Sequence, residues 1–209
     1  MAEAGGMQRL HRAALHLQAR AKARSWGGRR LPALMLMTDP ARVPDPLAAV
    51  KRLPRGSAVV FRAFGAVDAV AEGRRLAHAA RRRGIVLLAG ADPALALAIR
   101  ADGVHLPERL SHQAGALRRA HPRWLITVAA HSEAAARRAR LSGADAVVIS
   151  PVFASRSPSA GRPLGTVRFA ALARGARMPA YVLGGVNAAT AARLVGSGAV
   201  GIAAVEALA

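Results

Sequence analysis

Between Asp145 and Gly165 an apolar run of strand length empties into a loop rich in hydroxyls and arginine, which carries Ser155, Arg156, Ser157 and Arg162. The next such run empties into Leu183, Gly184, Gly185 and Val186, just ahead of a helix-start signal at Asn187. This is the pattern of a phosphate cradle. Glycine lets backbone N–H groups approach an anion closely, and a helix N-terminus adds partial positive charge.

Three further side chains could do chemistry. His131, between Ala130 and Ser132, has a type of ring that gains and loses a proton near neutral pH, so it is a candidate acid–base group. The structural alternative is a histidine that only flanks the Ser132 helix cap. His105 closes the stretch Asp102-Gly103-Val104-His105-Leu106 at a strand end, where it would contact a ligand or be satisfied by buried hydrogen bonds. Arg62 ends another apolar run, and an arginine there reads as an anion contact, the alternative being a salt bridge to Asp39 or Glu108. Asp39-Pro40 reads as turn chemistry.

These residues need a scaffold, and short apolar runs recur to supply it. They lie at Leu34–Thr38, Ala58–Arg62, Ile85–Ala89, Gly103–Leu106, Leu125–Ala129, Ala146–Ser150, Ala180–Leu183 and Val200–Ala204. Their continuous apolar character is that of parallel strands buried on both faces. Helix starts fall between them: Asp45-Pro46, Asp92-Pro93, Ser132-Glu133 and Asn187. Gly84, Gly143 and Gly198 stand where helices would stop. Eight strand–helix units predict an α/β fold of the (β/α)8 TIM-barrel type, shorter than the usual ~250 residues. A doubly wound open sheet competes, but it would put its glycine-rich turn after the first strand, whereas here the turn follows the seventh. Residues 1–30 form a short basic N-terminal extension, read as an appended helix or a partly disordered arm, and residues 31–209 form the barrel.

Composition narrows the function. With 209 residues and 53% hydrophobic content the chain can bury a full core, and it has no apolar run long enough to span a bilayer. Cysteine is absent, which removes disulfides, thiolate catalysis and zinc–thiolate sites, and the cytoplasm is the expected location. The net charge of +20 would attract polyanions such as nucleic acid. The excess is almost all arginine, however, and it is dispersed along helix-like segments such as Arg74-Arg75, Arg81-Arg82-Arg83, Arg118-Arg119 and Arg137-Arg138. Aromatics make up only 3%, so stacking platforms are few, and solvated helix faces are the preferred reading over nucleic-acid binding.

Thr38-Asp39, Ala101 to Leu106, Ala130-His131-Ser132, Gly143-Ala144-Asp145, Ser150 to Phe153, Pro163-Leu164-Gly165 and Leu183 to Val186 occur in an order and spacing that resembles the thiamine phosphate synthase and thiazole tautomerase superfamily. The resemblance covers residues 33–208. It implies a TIM barrel that binds a thiazole phosphate, with the phosphate at the loops after strands seven and eight. The synthase branch joins that thiazole to a pyrimidine pyrophosphate with magnesium assisting departure of pyrophosphate. The tautomerase branch moves a proton on the thiazole ring with a histidine and no metal, and His131 stands at that position.

Carried over residue by residue, the synthase pattern is only partly kept. Arg62 matches in the second strand, while Val60 and Phe64 replace a glutamine and a lysine. Ala89-Gly90 stands where the family has an asparagine–aspartate pair, and Leu110 where it has a second magnesium aspartate. Ala129 replaces a serine. Ser155 and Ser157 keep two hydroxyls, with Arg156 or Arg162 in place of a lysine, which an arginine does not simply substitute. At the eighth strand Val205 is followed by Glu206 instead of a phosphate-binding serine. The expected ligand is therefore a small phosphorylated molecule at Arg62, His105, Ser155, Arg156, Ser157, Gly184, Gly185 and Val205. Magnesium is implied by the resemblance, but both of its aspartates are missing and no cofactor is expected. Three functions stay open: a synthase-family protein with a degenerate magnesium half, a metal-independent isomerase using His131, and a non-catalytic arginine-rich nucleic-acid module.

Overall fold

A computed structural model describes residues 2–21, 25–26, 28–155, 157 and 161–209. Eight parallel strands close into a barrel: β3 (Leu34–Met37), β4 (Ala58–Phe61), β5 (Val86–Gly90), β6 (Gly103–Leu106), β7 (Leu125–Ala130), β8 (Ala146–Ile149), β9 (Ala180–Val182) and β10 (Gly201–Ala204). Each pairs with its successor, and β10 pairs with both β9 and β3. Closure rules out the open-sheet alternative. Strands β1 (Ser25–Trp26) and β2 (Arg29–Arg30) form a separate antiparallel hairpin.

Alternation along the strands sorts the core in two. Met35, Met37, Ala58, Val60, Leu88, Leu125, Ala146, Val148, Tyr181 and Ala203 pack inside the barrel. Their neighbours Leu34, Leu36, Val59, Phe61, Leu87, Val104, Ile126, Val147 and Ile202 pack outward under the helices. At the end away from the strand C-termini the barrel is plugged. The Tyr181 hydroxyl donates to Pro32 O at 2.7 Å, and Trp26 and Leu31 join the interior cluster. Gly201 makes room for that ring, since a Cβ there would lie 2.7 Å from Tyr181 Cε1.

The outer layer contains α2 (Pro46–Arg52), α3 (Ala69–Arg83), α4 (Pro93–Ala98), α5 (Ala114–Ala120), α6 (Glu133–Leu141) and α7 (Gly165–Ala176). Asp45, Asp92 and Ser132 cap α2, α4 and α6 through side-chain oxygens that accept from Ala48, Leu95 and Ala135 N–H. Gly84 ends α3 in the left-handed conformation.

The helix expected from Asn187 does not form. Asn187 Oδ1 accepts from the Ala189 and Thr190 N–H groups in a tight turn, and only a 3₁₀ turn at Ala191–Leu194 follows. The local hydrogen bonds explain this. Thr190 Oγ1 accepts from Asn187 N–H at 2.9 Å and donates to Gly185 O at 3.1 Å, competing with helical bonding, and Gly196 at φ 79° ends the segment.

A helix from the other end of the chain covers this face. Helix α1 (Ala2–Arg20) packs against β10 and the 3₁₀ turns at Ala191–Leu194 and Glu206–Leu208. Leu10, Ala14 and Leu17, spaced for one helical face, are buried in the same core as the outward-facing strand residues. Gln18 Nε2 donates to Leu31 O at 2.5 Å.

Candidate functional site

The inward alternation continues past the strand ends and decides which side chains meet. Arg62 follows β4 in register with Ala58 and Val60, His105 lies inward on β6, and His131 follows Thr127 and Ala129 from β7. With Ser150, Leu183 and Val205 they line a cavity of about 910 Å³ at the C-terminal ends of the strands. This is the face on which TIM barrels place their chemistry.

Arg62 is held from three sides. Its N–H donates to Thr38 Oγ1 at 2.9 Å and its Nε to Thr38 O at 2.5 Å. Its Nη2 lies 3.4 Å from Asp39 Oδ2, which Arg42 also reaches, at 3.0 Å. Burial pulls the Arg62 guanidinium below its ordinary value, with Arg42 adding to the effect and Asp39 opposing it. At Asp39 burial pushes the carboxyl up, but the Arg42 hydrogen bond and the Arg42 and Arg62 charges outweigh it and the value falls. The Phe64 ring lies 5.1 Å from the Arg62 guanidinium and is 67% exposed, so it forms a rim and leaves the mouth open.

His105 is buried, and its Nδ1 shares a hydrogen bond of 2.9 Å with Thr127 Oγ1. Burial, with the Arg62 charge acting in the same direction, lowers its imidazole to about 4, so it is neutral at neutral pH.

His131 sits at the rim, and its Nδ1 lies 2.8 Å from Ser150 O. A carbonyl oxygen only accepts, so Nδ1 carries the proton and, in the neutral ring, Nε2 keeps its lone pair. The His131 backbone N–H donates to Glu108 Oε2 at 3.1 Å, while Glu108 Oε1 pairs with Arg138 at 3.0 Å. Loops after β6, β7 and β8 are thereby tied together around this imidazole.

Ser155 and Ser157 also line the cavity, the Ser157 N–H donating to Ser155 Oγ at 3.3 Å. Arg156 lies outside the described residues. Gly184 and Gly185 take φ of 95° and 64°. A Cβ on Gly184 would lie 2.8 Å from Pro151 Cα, and one on Gly185 2.8 Å from Phe153 Cβ. The pair therefore lets the loop after β8 dock against the loop after β9, through Val152 N–H to Leu183 O at 2.9 Å and Phe153 N–H to Gly184 O at 3.0 Å. Among the described residues no partner takes the N–H groups of Gly184, Gly185 or Val186. The anion-attracting groups here are these amides, without the α-helix dipole expected from Asn187. Val205 and the exposed Glu206 lie on the neighbouring part of the rim, after β10, which pairs with β9, at the start of the last 3₁₀ turn.

The residues present do not fit magnesium, which needs several convergent oxygen ligands. Asp92 is spent on the α4 cap, both Glu108 oxygens are engaged, and Asp39 serves two arginines. Among the described residues no group of three or more His, Cys, Asp or Glu side chains converges. Arg62 packs over Gly90, where a Cβ would come within 2.8 Å of Arg62 Cγ, so a carboxylate side chain at that position would displace the arginine.

Sequence reasoning missed the parts played by Thr38, Arg42, Ser150 O and the Glu108–Arg138 pair. Glu108 is 23 residues from His131, and no local signal joins them.

The family model for thiamine monophosphate synthase (TMP-TENI) matches residues 34–208. A putative thiamine-phosphate synthase 2 of Aquifex aeolicus is 34% identical over 112 residues, 54% of this chain and 60% of that protein. A thiamine-phosphate synthase of Roseiflexus sp. is 34% identical over 142 residues, 68% of this chain and 60% of the relative. The alignments thus span 60% of the length of these two curated relatives. Among solved structures, thiamine phosphate pyrophosphorylase from Pyrococcus furiosus superposes with a TM-score of 0.72, covering 84% of this chain and 85% of that one at 23% identity, a likeness of fold. No helix among the described residues is long and apolar enough to cross a membrane. With the family model matched from the first barrel strand to the last turn, the chain belongs to the thiamine monophosphate synthase family.

Proposed function

We propose that the barrel mouth binds a thiazole phosphate-type molecule and that His131 moves a proton on its ring without a metal. The observation that carries this reading is the His131 imidazole, whose Nδ1–H is held by Ser150 O and whose Nε2 is left as the base. Nε2 takes a proton from one ring atom of the ligand, and the resulting imidazolium returns it to another, so atoms and charge balance over the cycle. Ser150 O keeps accepting from Nδ1–H throughout and stabilises the charged ring, and Glu108 fixes the backbone of the same residue. The phosphate sits against the Gly184, Gly185 and Val186 amides with the Ser155 and Ser157 hydroxyls beside it, Arg156 in the same loop and Val205 on the adjacent loop after β10. Arg62 and His105 form the floor. Glu206 opposes a phosphate, but at an exposed position solvent screens that repulsion.

The relatives' names favour a second reading, the condensation that makes thiamine phosphate. The donor set argues against it. A Lewis-acid metal supplies several kcal/mol of transition-state stabilisation, and each ~1.4 kcal/mol is tenfold in rate.

The two readings separate in one set of assays on the purified chain. Thiazole phosphate alone should isomerise in the presence of EDTA, followed by NMR, and His131→Ala should slow this by about 10²–10⁴-fold. Thiamine phosphate formed from thiazole and pyrimidine precursors, and abolished by EDTA, would return the chain to the synthase reaction. Absence of both binding and turnover of the thiazole phosphate sinks both readings.

A further inference from the structure

The fold gathers arginines that look scattered along the chain. Between α2 and α3, on the outer face of the barrel and away from its mouth, lies a groove of about 740 Å³ lined by Lys51, Arg74, Arg75, Arg82 and Arg83, with His78 beside them and Leu47 and Ala79 on its floor. The five cations are exposed, and among the described residues none of them pairs with a carboxylate; the ion pairs of the structure use Arg42, Arg62, Arg118, Arg137 and Arg138. Two of them are braced by main-chain carbonyls, Arg83 on Leu53 O at 3.0 Å and Arg74 on Ala98 O at 3.3 Å, which locks the groove wall to its neighbours.

We infer that this groove is a docking surface for the phosphate backbone of double-stranded nucleic acid, bound without reading its sequence. Three observations select that occupant. The cations do not converge on one point: Arg75 and Arg82 stand seven residues apart on one face of α3, about 10 Å along its axis, with Arg74 and Arg83 on the two flanks. Over that length a duplex presents about six phosphate charges, so the spread suits an extended polyanion where a single small anion would need convergent donors. No phenylalanine, tyrosine or tryptophan lines the groove, and the lone His78 ring offers no run of stacking platforms for a single strand. The floor offers only Leu47 and Ala79, too little apolar surface for the anchors that a protein segment uses. A second copy of the chain is disfavoured by its own net charge of +20.

The test is fluorescence anisotropy of a labelled 20-base-pair duplex with the full chain, from 50 to 200 mM salt. Five phosphate contacts give a slope of log K against log salt of about −4.5, a loss of roughly 500-fold over that range. Lys51, Arg75 and Arg82, which make no side-chain hydrogen bond or ion pair to the described residues, are changed together to glutamine. The slope should flatten by about 2.7, leaving a loss of roughly tenfold. The control changes Arg140, Arg168 and Arg174, exposed on α6 and α7, to glutamine. It removes the same three charges and should leave the slope in place. Melting curves of both triple variants should match the parent, and each single groove variant should flatten the slope by about 0.9. Equal weakening by both triples would mean whole-molecule charge and overturn the proposal. Displacement of the duplex by an acidic peptide or by inorganic triphosphate at equal anion concentration overturns it too, as does failure to bind at 50 mM salt.

Discussion

Lowering the pH from 7.5 to 5.0 should cost this barrel stability, and His105 supplies a separable share of that cost. Burial, aided by the Arg62 charge, lowers the folded imidazole to about 4, whereas in an unfolded chain it titrates near 6.5. Above pH 6.5 the ring is neutral in both states and contributes no pH dependence. Between 6.5 and 4 the unfolded chain binds a proton that the folded chain refuses, so stability falls as pH falls, and the loss levels off below 4. The gap of about 2.5 units corresponds to about 3.4 kcal/mol in full, and to about 2 kcal/mol at pH 5. Against a typical total of roughly 5–15 kcal/mol, that is readily measured. Urea unfolding at the two pH values, for the parent chain and for His105→Gln, isolates the contribution. The glutamine amide can still hydrogen-bond Thr127 Oγ1 but does not titrate. The parent should lose about 2 kcal/mol more than the variant. Equal losses, or an NMR titration of the His105 ring centred near 6.5, would refute the argument that this site is dry and positively biased.

Two structural contrasts give further tests. Gly185→Ala combines a left-handed φ of 64° with a clash against Phe153 and should cost about 3 kcal/mol, whereas Gly196→Ala, with φ of 79° and open space, should cost about 1 kcal/mol; similar values from urea unfolding would mean that the two loops do not dock tightly. Leu10→Ala, at a position 1% exposed on α1, should cost about 2–5 kcal/mol, while Leu15→Ala, 45% exposed, should stay within about 0.5 kcal/mol. Equal small effects would show that α1 is not part of the core.

The barrel was legible because its strands are short, apolar and bounded by strong signals. Val147 to Ile149 or Val59 to Phe61 can only be buried on both faces, and Asp45, Asp92 and Ser132 mark helix starts with an oxygen acceptor at the right place. Asn187 carries the same kind of signal but makes a turn, because Thr190 offers the backbone a competing set of bonds that a pattern reading does not weigh. The mouth was legible as a set of residue types, and its wiring was not. Gly184 and Gly185 announce close approach, yet what approaches them is the loop carrying Pro151 and Phe153, and that depends on β8 and β9 being neighbours in the closed barrel. The bond from His131 N–H to Glu108 likewise exists only once β6 and β7 lie side by side.

Among the described residues, helix α1 is separated from the surface it covers, β10 with the turns on either side of it, by nearly the whole barrel. On a ribosome adding roughly 5–20 residues per second, the stretch between them takes on the order of 10–40 s to emerge. For all of that time Leu10, Ala14 and Leu17 have nowhere native to go. Docking of α1 is therefore a late event that waits for β10, and the nascent protein spends that interval with an apolar helix face that a chaperone can hold.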